Sequence, residues 1–215
     1  MKMSEYVQWH RDTLGEKLVK ALTQNNFTAT YVPTREGAVD KLLELIPLDA
    51  SIGFGGSVTL DQLGVIAKLE GRGNPVLNYT KPGLSQQEIR AIRRQHLLSD
   101  VYLSGTNAVT LDGKLVNVDA TGNRVGAMLF GPDKVFIVVG INKIVHDVAE
   151  AENRVKLWAS PPNNTRLGYP NPCAQTGVCV DCQGPSRICN ITTIMHKKPR
   201  LTDVHVIVVG EELGL

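Results

Sequence analysis

The chain is poor in aromatics, nearly balanced in charge and without a long apolar run, and each shortage removes a class of protein. Aromatics make up 5% of the 215 residues and the formal net charge is +2. No basic stripe interleaved with aromatics is present, so no nucleic-acid role is expected. No apolar run approaches the roughly 18 residues of a membrane span, and Met1 to Asp12 lacks the apolar centre of a signal peptide. A cytoplasmic protein without a membrane span is therefore expected. His10, His96, His146, His196 and His205 show no metal-binding spacing, and no Gly-x-Ser-x-Gly turn surrounds Ser57.

What remains is ordinary globular material, 42% hydrophobic and 20% charged, which predicts a single domain over residues 1–215 with a cysteine-rich loop segment at 160–200. Its organising stretch is Ile52-Gly53-Phe54-Gly55-Gly56-Ser57-Val58-Thr59. Ala50 to Phe54 reads as a short buried strand. Leu60, Leu63, Gly64 and Ala67 then recur on one face of a helix. Strand, glycine turn and helix start expose backbone N–H groups where a helix dipole favours an anion. Thr59 or Ser57 is placed to cap the helix. Val58 stands where a dinucleotide loop needs its third glycine, and no Gly-Lys-Ser/Thr is present, so both better-known phosphate loops are excluded. A plain strand-to-helix turn remains the alternative to an anion or small-ligand loop.

The flanking chain alternates helix and strand signals. Ser4 opens a helix with Val7, Leu14, Leu18 and Leu22 inward, and Phe27 to Val32 is an edge strand stopped by Pro33. Thr34 caps a helix with Val39, Leu42, Leu43 and Ile46 inward, and Pro75 to Asn78 is a short strand. Ser85-Gln-Gln-Glu88 is a capping box ahead of a helix with Ile89 and Ile92 inward and Arg90, Arg93 and Arg94 outward; His96 reads as a helix-surface residue. Asp100 to Ser104 is a strand, and Asn107 to Leu111, Asp112-Gly113 and Leu115 to Val118 form a β-hairpin signal. Val125, Met128 and Leu129 face inward on the next helix. Val135 to Val139 and Val204 to Val209 are buried strands, and Asp147 opens a helix with Val148, Ala151, Val155 and Trp158 inward. The pattern predicts an α/β fold: an open, mostly parallel sheet, mixed because of the hairpin, with helices on both faces.

Ligands of such sheets bind beyond the carboxyl ends of the strands. Gly53 to Thr59, Asp119 to Arg124 and Gly140 to Lys143 reach that edge. Thr121-Gly122-Asn123-Arg124 offers a helix start plus a guanidinium, and Lys143 adds a point charge. Asp119 is either a base or, the plainer reading, a carboxylate at a helix start. Each loop taken alone also has an account as a cap or turn.

Cys173, Cys179, Cys182 and Cys189, spaced C-x5-C-x2-C-x6-C, fall in one proline- and glycine-containing segment. With no export signal, metal is a better reading than disulfides or free thiols, and the thiolates suit zinc or an iron–sulfur cluster.

Gly53 to Leu60, Leu103 to Val125 and Gly140 to Val145 together resemble the LUD (lactate-utilisation) domain family, the similarity running roughly from Thr34 to Leu213. The resemblance implies a fold similar to ribose-phosphate isomerases and CoA-transferases. It also implies loops that take phosphorylated or CoA-type ligands, and a part in L-lactate oxidation to pyruvate beside other subunits of an iron–sulfur complex. The chain departs from the multi-domain members in having one four-cysteine stretch where they carry a ferredoxin-like extension. Loops and resemblance together give the candidate ligand residues: Gly53, Gly55, Gly56, Ser57, Thr59, Asn107, Asp119, Thr121, Gly122, Asn123, Arg124 and Lys143. The expected ligand is a small carboxylate or phosphate. The alternatives are a non-enzymatic sensing or assembly protein with a structural metal, and an isomerase or transferase acting on a phosphorylated substrate.

Overall fold

A computed structural model describes residues 4–215. Helix α1 (Glu5–Gln24) leads to β1 (Thr28–Val32), α2 (Arg35–Leu45), β2 (Ile52–Phe54), α3 (Val58–Leu63) and α4 (Val65–Gly71). Then come α5 (Gln86–Gln95), β3 (Val101–Gly105), the hairpin β4 (Ala108–Thr110) and β5 (Leu115–Asp119), α6 (Asn123–Leu129) and β6 (Lys134–Gly140). The last part runs β7 (Ile144–Val145), α7 (Val148–Arg154), α8 (Ser160–Arg166), α9 (Cys173–Thr176), β8 (Ile191–Met195) and β9 (Asp203–Val209).

The central sheet has five parallel strands in the order β1-β9-β6-β3-β2. After β1 the chain crosses to the far edge at β2 and then walks back through β3, β6 and β9. Six of the seven residues of β6 and of β9 are buried, as strands covered on both faces must be. Alternate residues serve opposite cores. Leu103, Phe136, Val138, Ile207 and Val209 pack on α2, α3 and α4. Tyr102, Val135, Ile137, Val206 and Val208 pack on Leu18 and Leu22 of α1 and Met128 of α6. The α/β class with helices on both faces is thus observed. The hairpin, expected to make that sheet mixed, instead stands in a second sheet of order β7-β4-β5-β8. Val109, Leu115 and Met195 of that second sheet join the core beneath the first, so hydrophobic burial rather than strand pairing ties the two together.

Several local expectations are corrected. Val7 is exposed because, among the described residues, no residue of α1 before Gly15 is buried. The helix after the glycine turn breaks at Gly64, whose φ of 61° is left-handed, so Gly64 and Ala67 leave the buried face kept by Leu60 and Leu63. Pro75 to Asn78 makes only one bridge, Val76 to Ile52, rather than a strand. Trp158 is 69% exposed because Val155–Ala159 winds as a wider π turn that shifts the helix phase. That turn also relieves the clash a proline ring makes one turn back, so helix continues through Pro161 and Pro162 where loop was expected. β8 likewise falls within the expected loop and pairs with β5.

Candidate functional site

The carboxyl ends of β2, β3 and β6, together with β5 of the second sheet, open on one crevice of about 470 Å³. Gly55, Gly56 and Ser57 line one wall, Asn107, Asp119, Thr121, Asn123 and Arg124 another, and Lys143 the floor. Gly53, Thr59 and Gly122 stand behind the wall. Gly53 is buried against Ser99 and Tyr102, and Thr59 accepts a 2.9 Å hydrogen bond from the Lys143 ammonium. Gly122, at φ 83°, supplies the left-handed residue ahead of α6. Ser57, not Thr59, caps α3 through the Leu60 N–H at 3.4 Å.

No strained φ explains the glycine pair. A Cβ on Gly55 would come within 2.8 Å of Arg124 Cγ, so this glycine lets the arginine side chain pass. Arg124 is correspondingly engaged at both Nη atoms, with Nε in an ion pair. Nε faces Asp119 Oδ2 at 3.5 Å, Nη1 donates to Asn117 Oδ1 at 2.7 Å and Gly105 O at 3.3 Å, and Nη2 donates to Asn107 Oδ1 at 3.1 Å and Val118 O at 2.9 Å. It pins the hairpin sheet to the end of β3 and has no fork free for a ligand. Asp119 is filled too. It accepts from the N–H groups of Thr121 (3.1 Å), Gly122 (3.0 Å) and Val125 (3.2 Å), which makes it the capping carboxylate of α6 rather than a base. Two of the Thr121–Arg124 N–H groups, and Arg124 itself, are therefore committed within the protein. Thr121, Asn123 and Arg124 nonetheless line the crevice.

Lys143 is the contrast. It sits in the turn Ile141–Lys143 after β6, is 4% exposed, and has three donors of which one is used, on Thr59. No carboxylate pairs with it among the described residues. Arg154 is buried nearby, donating to the carbonyls of Asn107 (2.7 Å), Asn142 (3.1 Å) and Leu215 (3.3 Å). Burial first, then the charges of Arg154 and Arg124, push the Lys143 pKa down to about 7. Burial also holds the Arg124 and Arg154 pKa values below the ordinary arginine value, with Asp119 opposing the shift at Arg124. Three buried cations stand beside one buried carboxylate, Asp119, with Asp61 exposed at the rim, which biases the floor of the crevice toward positive charge. The Gly214 backbone lies over this floor. It runs at φ 68°, and a Cβ there would stand 2.3 Å from Thr59 Oγ1.

Sequence reasoning missed the opposite wall. Arg93, read as a solvated helix face, lies with its guanidinium carbon 4.8 Å from the Tyr79 ring centroid, and both residues line the crevice. His96, read as surface, is buried between Phe54, Tyr79 and Tyr102, with Nε2 2.8 Å from the Leu77 carbonyl oxygen. Arg166 and Cys189 complete the rim. The capping box is the one local signal that set the phase of α5, and it gives no hint that Arg93 finds an aromatic across a loop.

Fold and site thus define an α/β protein with a cationic crevice at the carboxyl edge of a parallel sheet. Comparison with protein families matches the LUD domain over residues 15–209. The chain belongs to the LUD domain family. Among solved structures it is similar to a DUF162 family protein from Deinococcus radiodurans, at 19% identity and a TM-score of 0.51, covering 93% of this chain and 98% of that one. A ribose 5-phosphate isomerase from Plasmodium falciparum aligns over 63% of this chain and 54% of that one, at 17% identity and a TM-score of 0.29. Comparison with the curated proteins returned no match.

Proposed function

We propose that the protein is a lactate-utilisation-type protein that holds a small anionic ligand, a carboxylate or phosphate, over Lys143, and that it serves a system oxidising L-lactate or a related 2-hydroxy acid. Membership of the LUD domain family supports the metabolic setting. The observation that carries the ligand class is Lys143 itself: a buried ammonium with open donors and no paired carboxylate among the described residues, flanked by Arg124 and Arg154. An unpaired buried cation is costly, and an anion bound against it removes that penalty. The N–H groups of Gly56 and Ser57, which have no acceptor among the described residues, face the same space.

A second reading rests on volume. A cavity of about 470 Å³ falls in the range that takes a ligand of metabolite or drug size, and a three-carbon acid fills a small part of it. That favours an anion carrying a larger body, such as a phosphorylated substrate, with Tyr79 and Arg93 against its far end.

Thermal-shift and titration measurements with pyruvate, L-lactate, inorganic phosphate and a sugar phosphate separate the readings. Binding is expected to weaken at least tenfold in Lys143→Met, about the 1.5–3 kcal/mol of a charge-assisted hydrogen bond. Lys143→Met is also expected to melt higher without ligand, since it removes a desolvated charge. Equal binding by both proteins, or no binding by either, defeats the proposal. A sugar phosphate bound far more tightly than phosphate selects the second reading.

A further inference from the structure

We propose that Cys173, Cys179, Cys182 and Cys189 form a thiolate metal centre that shares its Cys189 corner with the anion crevice. All four are free cysteines, and all four line one small cavity under the segment that follows α8. Asp181, at φ 49°, turns the chain between Cys179 and Cys182 so that both meet that cavity. Cys173 opens the short helix α9, and Cys189 enters from the strand side, against Ser160 at the start of α8.

Hydrogen-bond donors reach three of the four sulfurs. Asn164 Nδ2 donates to Cys173 Sγ at 3.3 Å and the Asp181 N–H donates to Cys179 Sγ at 3.4 Å. Ser160 Oγ lies 3.2 Å from Cys189 Sγ. Such donors orient and tune metal-bound sulfur. Arg187 donates to the carbonyls of Cys182 (2.6 Å) and Cys189 (3.0 Å), which clamps the two ends of the third spacing and puts a positive charge beside the sulfurs. The frame behind them is built: buried Asn171 donates to Asn164 Oδ1 at 2.6 Å and accepts from Ser186 Oγ at 2.7 Å. Burial pushes the Cys173 and Cys189 thiols up, and the other cysteines add to it. A metal ion reverses that balance.

The space between the sulfurs is about 20 Å³, enough for one body of water size. Among the described residues no three His, Cys, Asp or Glu side chains yet stand within reach of a single ion. A Zn²⁺ ion or an iron–sulfur core would be held by Cys173, Cys179, Cys182 and Cys189 only once the segment had drawn together, and each thiol would give up its proton to solvent on ligating. Because Cys189, Ile188 and Ser160 line both the thiol cavity and the anion crevice, loading also fixes one wall of the crevice. That last consequence rests on the anion reading; the metal centre does not.

The test uses the full chain, purified without oxygen and reconstituted in separate arms with Zn²⁺ and with Fe²⁺ plus sulfide. The expected result in one arm is about one centre per chain, thiols that titrate at least tenfold more slowly than after chelation, and a change in Trp158 emission with Trp9→Phe as background. Colourless protein without sulfide identifies zinc; visible absorbance lost on reduction, with sulfide, identifies a cluster. Cys179→Ser and Cys182→Ser should each lose the metal while keeping the far-ultraviolet circular dichroism of the parent. Below about 0.2 metal per chain in both arms with four freely titrating thiols, or full metal retained by Cys182→Ser, overturns the centre. The thermal shift with inorganic phosphate, measured alongside, keeps the two proposals apart: an intact shift without metal overturns this one alone.

Discussion

Lys143 shares its buried surroundings with Arg154 and Arg124, and they add to burial in taking its pKa from 10.5 to about 7. An anion over the ammonium reverses that field and favours the charged form, so binding above pH 7 takes up a proton. The affinity for pyruvate, whose own charge is constant in this range, is expected to fall by up to about tenfold per pH unit above 7, until the pKa of the complex is reached. Titration calorimetry from pH 6.5 to 9 measures it, and an affinity flat in pH would remove Lys143 from the site. The same residue acts on folding. Between about 7 and 10.5 the unfolded chain binds a proton that the folded chain does not, so Lys143 makes stability rise with pH across that window. Arg124 plays a different part: with both Nη atoms hydrogen-bonded inside the protein it organises the wall and contributes charge.

Among the elements, α5 is held by its ends rather than its faces. Ser85 Oγ accepts from the Glu88 N–H at 3.3 Å, and Glu88 Oε2 accepts from the Ser85 N–H at 2.8 Å. No residue of α5 is buried, so the cap carries an unusual share of its stability. Ser85→Ala is expected to cost about 1 kcal/mol. The loss should appear as faster amide exchange within α5 while β6 and β9 keep their protection. Uniform acceleration through the central strands would show that α5 is part of the global cooperative unit instead. Arg93 rides on this helix, so fraying it loosens the wall of the crevice that carries Tyr79.

At the scale of the whole molecule, the two buried histidines set a limit on the acid side. His96 and His205 both have pKa values lowered from 6.5, chiefly by burial, opposed by the Leu77 hydrogen bond at His96, where Arg93 adds to the lowering, and by Asp203 at His205, where Lys134 and Lys41 add to it. Below 6.5 the unfolded chain takes up protons before the folded one, so stability falls as pH drops through that value and on through the folded pKa values. The urea midpoint should decline between pH 7.5 and 5, ahead of the carboxylate range, and His205→Gln should flatten part of the decline. A midpoint constant to pH 5 would show that neither histidine resists protonation in the fold.

The sequence by itself determined whatever depends on near neighbours along the chain. The apolar runs of β6 and β9 had to be strands buried on both faces. Thr34 and Ser85 had to be caps, and the glycine turn after Phe54 had to open toward the carboxyl edge of the sheet, where Lys143 also arrives. Tertiary structure decided what depends on partners far away in sequence. The hairpin left the central sheet because Val109 and Leu115 found apolar cover beneath it with Met195. Asp119 and Arg124 line the crevice wall and also carry framework contacts with Asn107, Asn117, Gly105, Val118 and Thr121 that no local pattern announces. Arg93 moved from surface to crevice wall and His96 from surface to core because Tyr79 packs on both, and Trp158 moved outward because one π turn changed the helix phase. Periodicity records which face a residue takes, but the saturation of a donor depends on every acceptor within reach, and those acceptors come together only in the fold.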